Sequence, residues 1–138
     1  MTENFNQNKI LWLRVSYWIG AIADFVVGIA MLYPRIFTAV YNIENYIPDR
    51  AFRSAMFLAA ATMFGWTVIL LWADRKPVER RGILLITIFP PIIGLAGAGV
   101  YAVTSGFITL PKMIPTWIFQ LFLIILFSYS YFNSKGDK

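Results

Sequence analysis

The stretch that decides the fold is YWIGAIADFVVGIAMLYP, which runs from Tyr17 to Pro34. It is apolar enough for a membrane-spanning helix, which needs about 20 such residues. Pro34 marks a point at which a helix does not easily continue. Asp24 lies in the middle of the stretch. Because an ionisable side chain at the centre of a membrane helix costs about 2.5–3.5 kcal/mol on insertion scales, Asp24 requires a functional or structural explanation.

The composition extends this interpretation to the whole chain. The chain has 138 residues, of which 59% are hydrophobic and 14% charged, whereas globular domains average about 45–50% and about 25%. The mean hydropathy is +0.64. A chain of this length forms one domain, 1–138, and its core is too small to hide so many apolar residues. We therefore predict a single integral membrane domain.

Four apolar runs are long enough to span a bilayer. They cover about residues 10–33, 52–72, 83–104 and 114–132, with ends uncertain by about 2–4 residues. Short connections make neighbouring helices antiparallel. The predicted fold is all-α, an antiparallel four-helix transmembrane bundle. Small residues should mark its contact faces, as at Gly20 and Gly28 in the first helix and Ala61 and Gly65 in the second.

The third span contains two consecutive prolines followed by three glycines. Pro90 and Pro91 remove two helix hydrogen bonds, so we predict a kink. Gly94, Gly97 and Gly99 permit close approach by a neighbouring helix. Two interpretations remain open: a bent, tightly packed helix, or a hinge that also forms the wall of a polar cavity.

The loop from Arg35 to Asp49 combines apolar and polar residues. It predicts a short interfacial helix, with a lid over the bundle as the alternative. Asp49 is a suitable N-cap for the second helix. By the positive-inside rule, the side with more Lys and Arg is cytoplasmic. The side of the termini carries eight basic residues: Lys9, Arg14, Arg75, Lys76, Arg80, Arg81, Lys135 and Lys138. The other side carries four: Arg35, Arg50, Arg53 and Lys112. We predict that both termini are cytoplasmic. The small four-span organisation is typical of a protein of a prokaryotic inner membrane.

The chain contains no cysteine and no histidine. Their absence excludes disulfides, Cys/His zinc sites, His-ligated haem and a Ser-His-Asp triad. We predict no cofactor and no metal site. The net charge of +5 comes from residues between apolar runs, which suit lipid headgroups. These basic residues form no continuous patch of the length that contacts with a nucleic acid require. We therefore predict that the protein does not bind nucleic acid.

The first helix presents one polar face, on which Arg14, Tyr17, Ala21, Asp24 and Gly28 coincide at the helical period. This face should point into the bundle. Asp24 is then either protonated or ionised and paired. Arg14 lies ten residues away, about 15 Å along the axis, and can pair instead with Asp74 or Glu79. Other helices offer five candidate partners for Asp24: Arg53, Thr62, Trp66, Tyr101 and Gln120.

Three functions from different classes fit these features. The leading hypothesis is a small membrane protein that binds a lipid-like or apolar ligand, or acts as an accessory subunit of a membrane complex. Its partners would be membrane lipids, further copies of the chain or a larger complex. The first alternative is a proton-coupled transporter that uses Asp24. Small multidrug-resistance exporters also have four spans and an acidic residue in the first, but they are shorter and use Glu in a sequence context that this chain lacks. The second alternative is a membrane enzyme acting on a lipophilic substrate.

Overall fold

The computed structural model describes residues 2–41, 43 and 47–134, with side chains from residue 7 onward. All regular structure in these residues is helical. The helices are α1 (Thr2–Leu32), α2 (Pro34–Tyr41), α3 (Arg50–Asp74), α4 (Gly82–Thr87), α5 (Ile93–Thr104) and α6 (Leu110–Asn133). Residues Ile88–Ile92 join α4 to α5. Lys135, Lys138 and residues 42 and 44–46 of the first long loop lie outside the described residues.

Four helical segments are long and apolar enough to cross a membrane. They are Gln7–Leu32, Arg50–Asp74, Gly82–Thr104 and Leu110–Asn133. α1 packs mainly against α3 and also against α6, and α6 packs against α4 and α5. A hydrogen bond between Trp66 of α3 and Thr87 of α4 closes the ring. The predicted all-α four-helix transmembrane bundle is confirmed.

Polar contacts hold the two termini and the α3–α4 turn together at one end of the bundle, here called the termini end. The Arg14 Nε donates to the Asp74 carboxylate at 3.0 Å, which confirms one of the two predicted pairs. The Ser16 and Ser130 hydroxyls lie 2.7 Å apart between α1 and α6. The Tyr17 hydroxyl donates to the Pro77 carbonyl at 3.1 Å. These bonds fix the register of α1 against its neighbours.

Small residues let helices approach at some of the predicted positions. A Cβ at Gly20 would lie 2.9 Å from the Phe127 ring, and one at Gly28 would lie 2.8 Å from the Phe64 ring. In the third span, a Cβ at Gly99 would lie 2.8 Å from the Trp117 indole nitrogen. The prediction fails at three other glycines, since nothing lies within 4 Å of a Cβ there. These are Gly65, Gly94 and Gly97.

Ala61 is also exposed, so the small-residue contact face of α3 was assigned one position too far along the helix. The fully buried small residue is Ala60. It lies seven residues before Thr67, which is buried as well. The Thr67 hydroxyl lies 3.0 Å from the Met63 carbonyl of its own helix and 3.4 Å from the Ala21 carbonyl of α1. A seven-residue spacing keeps two side chains on the same helix face.

The third span is interrupted where its prolines lie. Phe89 has extended backbone angles, φ −126° and ψ 122°, between the helical residues on either side. The residue before a proline is biased toward this conformation because the proline ring clashes with a helical one. The span is therefore two helices, α4 and α5, with a break between them.

α2 lies at the opposite end, here called the α2 end. Its Phe37 ring packs against Phe52 at the start of α3, with centroids 6.1 Å apart. Its Tyr41 hydroxyl lies 3.4 Å from the Thr116 hydroxyl near the start of α6. α2 thus reaches from one spanning helix to another. A helix was predicted in this loop; its location in the membrane interface stays a prediction. The predicted cap of α3 is confirmed, since Phe52 N–H donates to the Asp49 carboxylate at 2.7 Å.

Candidate functional site: a polar layer around Asp24

Asp24 projects from α1 toward the centre of the bundle. Ala21 faces α3, because its carbonyl lies 3.4 Å from the Thr67 hydroxyl. Gly20 faces both α3 and α6, because a Cβ there would lie 3.0 Å from Leu70 and 2.9 Å from Phe127. Residues three and four positions further along a helix lie on the same side, so Asp24 extends between the α3 and α6 directions. Its Oδ2 is buried and has no hydrogen-bond partner.

The break in the third span lies at the same depth. The Ala21–Thr67 bond and the Phe25–Phe64 contact place Asp24 level with the turn of α3 that contains Trp66. The Trp66 indole N–H donates to the Thr87 hydroxyl at 3.0 Å. Ile88–Ile92 follows Thr87 directly. The interrupted segment is therefore within about one helical turn, or about 5 Å, of the Asp24 level.

The break leaves backbone acceptors without their usual donors. A proline has no N–H, so it cannot donate to the carbonyl four residues earlier. Pro90 and Pro91 therefore cannot donate to the carbonyls of Ile86 and Thr87. The π-helical turn Ile88–Ile92 compensates at Thr87, whose carbonyl pairs with the N–H five residues on. The Ile86 carbonyl has no such replacement, because Pro91 also lacks an N–H, and Ile86 itself is 50% exposed. At membrane depth such a carbonyl requires protein, water or a ligand.

Gln120 contributes a further acceptor from α6. It lies on the same helix stripe as Leu123 and Phe127, both buried, and its Oε1 is buried without a hydrogen-bond partner. From the Gly20–Phe127 contact, Gln120 is about 10 Å along α6 and Asp24 about 6 Å along α1, both toward the α2 end. The two residues thus differ in depth by about one helical turn.

Together these groups form a layer that is rich in acceptors. It contains a carboxylate oxygen of Asp24 and the amide oxygen of Gln120, both buried without a hydrogen-bond partner, beside the interrupted segment of the third span. Such a set complements a group that donates hydrogen bonds or carries positive charge. Within the described residues, no cluster of three or more Asp or Glu side chains suits a metal ion.

The structure does not bring three of the predicted partners to Asp24. Thr62 donates to the Leu58 carbonyl of its own helix, and Tyr101 is 75% exposed. Arg53 lies thirteen residues before Trp66, about 20 Å along α3. Trp66 lies at the right depth, but its indole N–H is used by Thr87.

Arg14 and Tyr17 belong to the termini end. Arg14 is paired with Asp74, which also accepts from the Trp18 indole at 3.3 Å. Tyr17 is fully buried and bonded to Pro77. Of the predicted site residues, Asp24 and Gln120 thus remain as interior groups with unpartnered oxygens. Sequence reasoning missed Thr87 and the carbonyl of Ile86. Counting four residues back from each proline would have located both carbonyls.

The fold and this layer define the class of protein: a small four-span membrane bundle with two unpartnered side-chain oxygens in the interior of its described residues. No family model, curated protein or solved structure matches the chain.

Proposed function

We propose that this protein binds a small, largely apolar ligand whose polar group is cationic, with Asp24 as the anchor. The observation that carries the proposal is the buried, unpartnered Oδ2 of Asp24. A buried carboxylate oxygen without a partner costs about 1–3 kcal/mol or more. A positively charged donor would remove that cost.

The surroundings of Asp24 support an amine in particular. The Gln120 Oε1, which is buried without a partner, supplies a further acceptor for the N–H groups of the amine. Aromatic rings at the same end of the layer, such as Phe64, which packs on Gly28, suit an apolar body. The ligand would therefore be a lipophilic amine, which enters from the membrane.

The test uses a matched pair of probes, 1-adamantanamine and 1-adamantanol, which share an apolar cage and differ in charge. Binding is measured by titration calorimetry on protein in mild detergent. We expect Asp24→Asn to weaken binding of the amine roughly ten- to a hundredfold, because a buried charge-assisted hydrogen bond contributes about 1.5–3 kcal/mol. Binding of the alcohol should change less.

Glu79→Gln is the control, since it removes one carboxylate from the exposed α3–α4 turn, where Glu79 pairs with Lys76. It should bind the amine like the wild-type protein. Thermal unfolding by circular dichroism establishes that both variants are folded. Equal affinity of wild-type protein and folded Asp24→Asn for the amine would overturn the proposal.

A second candidate function, proton-coupled transport, is favoured by the same unpaired carboxylate. Asp24 has no ion pair with any other described residue, so it is free to exchange a proton for a cation. Transport predicts that proteoliposomes accumulate ethidium under an imposed pH gradient, and that Asp24→Asn abolishes this. Amine binding without any such uptake would refute transport and leave a binding protein.

The wider setting forms part of the proposal. The excess of basic residues at the termini end supports cytoplasmic termini, and the four-span format supports a prokaryotic inner membrane. Assembly with further copies, or as an accessory subunit of a larger complex, would use the exposed apolar faces of the spans. Cysteine labelling of Ser105→Cys, at the exposed α5–α6 turn, with an impermeant reagent on intact cells tests the orientation.

A further inference from the structure

A cavity lies at the α2 end, about two helical turns beyond Asp24 along α1. Its volume is about 600 Å³, within the range of about 300–1,000 Å³ that small-molecule sites occupy. The end of α1, the first turns of α2, Ile47–Pro48 and the start of α3 surround it. It therefore forms where α1 turns into α2.

The lining of this pocket is apolar with two cations. Met31, Leu32 and Phe57 contribute apolar surface, whereas Arg35 and Arg53 contribute guanidinium groups. Two arginines from different helices, one in α2 and one in α3, thus converge on one cavity. Planar guanidinium groups match the oxygens of phosphates and carboxylates.

Neither arginine is neutralised by a described acidic residue. No ion pair of Arg35 or Arg53 occurs in the part of the chain that the structure describes. Asp49, a described carboxylate at this end, accepts from the Phe52 N–H as the cap of α3. The described lining of the pocket therefore carries excess positive charge beside an apolar wall.

The depth of the pocket in the membrane indicates which kind of molecule can occupy it. Met31 and Leu32 end one membrane-spanning segment, and Arg53 and Phe57 lie in the first turns of another. The pocket is thus at the boundary between hydrocarbon and headgroups. A molecule held there can place acyl chain on the apolar wall and an anionic headgroup between the arginines.

We propose that this pocket is a binding site for an anionic phospholipid, whose headgroup phosphate is held by Arg35 and Arg53. Thr38 also lines the pocket, and its hydroxyl donates a hydrogen bond to the Arg35 carbonyl at 3.1 Å. This bond fixes the first turn of α2, from which Arg35 extends. The lipid would then join α2 to α3 and stabilise the α2 end.

The experiment is native mass spectrometry of the protein released from a neutral detergent, with added phosphatidylglycerol or phosphatidylcholine. We expect one phosphatidylglycerol to be retained in preference to phosphatidylcholine. The variant Arg35→Gln/Arg53→Gln should lose this preference, with at least about a tenfold drop in affinity from the loss of two charge-assisted bonds. The drop should shrink at high salt, as screening predicts.

Arg50→Gln is the matched control. It removes an exposed arginine from the same end of α3 that does not line the pocket, and should retain phosphatidylglycerol like the wild-type chain. Circular dichroism establishes that each variant is helical. Equal retention of the two lipids would overturn the proposal. So would an equal loss of phosphatidylglycerol affinity in Arg50→Gln and in the double variant. Displacement of the lipid by millimolar inorganic phosphate would also overturn it, because the occupant would then be a free anion. Because Asp24 is unchanged in these variants, amine binding reports on the proposed function separately.

Discussion

The contact of Gly20 with two buried side chains leads to a quantitative prediction about how the bundle is held together. A Cβ at Gly20 would lie 2.9 Å from the Phe127 Cζ and 3.0 Å from the Leu70 Cδ1, whereas carbon atoms attract best at about 3.5–4.0 Å. Gly20→Ala therefore requires two neighbours to move by about 0.5–1 Å. Both neighbours are fully buried, with 0% exposure, so neither has free space beside it on the solvent or lipid side.

The expected cost follows from two opposing effects. Forcing a methyl group into a packed core costs about 1–3 kcal/mol, and replacing glycine by alanine inside a helix gains about 0.5–1 kcal/mol. Gly97→Ala is the control, since it lies in α5 with nothing within 4 Å of its Cβ and should receive only the gain. The free energy of unfolding of Gly20→Ala should thus be about 1–3 kcal/mol below that of Gly97→Ala.

The assay is reversible unfolding in mixed micelles of increasing SDS content, followed by far-UV circular dichroism. Phe127→Leu removes the ring atom nearest the new methyl group. In a Phe127→Leu background, Gly20→Ala should therefore lower the free energy of unfolding by less than it does in the wild-type background. The reasoning is refuted if Gly20→Ala is as stable as Gly97→Ala. It is also refuted if the loss is the same with and without the Phe127 ring.

Three further predictions concern single contacts. Ser16→Ala and Ser130→Ala each remove one hydroxyl of the 2.7 Å hydrogen bond. In a double-mutant cycle of unfolding, the two substitutions should couple by about 0.6 kcal/mol. Additive losses of stability would contradict this. Arg14→Gln and Asp74→Asn should couple only weakly, because Arg14 is 56% exposed and water and salt screen an exposed ion pair. A coupling that does not fall with added salt would contradict this. Gly106→Ala should lower the unfolding free energy by about 1–2 kcal/mol, since Gly106 has φ +75° and a Cβ is disfavoured there; an unchanged midpoint in the SDS titration would count against it.

The spans were predictable because hydrocarbon requires long apolar runs, and the runs are visible in the chain. The predicted ends lie within about 4 residues of the four spans, whereas the helices that contain two of the spans begin earlier than the apolar runs. α1 begins at Thr2 and not near residue 10, because a helix can continue through polar residues outside the membrane, where hydropathy carries no signal. α6 begins at Leu110 and not near residue 114. Pro111 is tolerated in a first turn, where its missing N–H has no partner in any case.

The site was predictable to the level of single helices. The stripe of α1 that carries Asp24 could be drawn from helical periodicity alone. The partners of that stripe could not, because periodicity fixes a face but not the rotation of one helix against another. Tyr101 was expected to point inward and is exposed. Gln120 was expected as a neutral partner, and its Oε1 is buried but unpartnered.

The most direct test of the central claim, that Asp24 anchors a cationic ligand, is infrared difference spectroscopy of the protein in nanodiscs with and without 1-adamantanamine. The account predicts a change in the carboxylate bands on binding that is present in the wild-type protein and in Glu79→Gln, and missing from Asp24→Asn. A difference spectrum that Asp24→Asn leaves unchanged would show that the amine binds elsewhere, and would contradict the account.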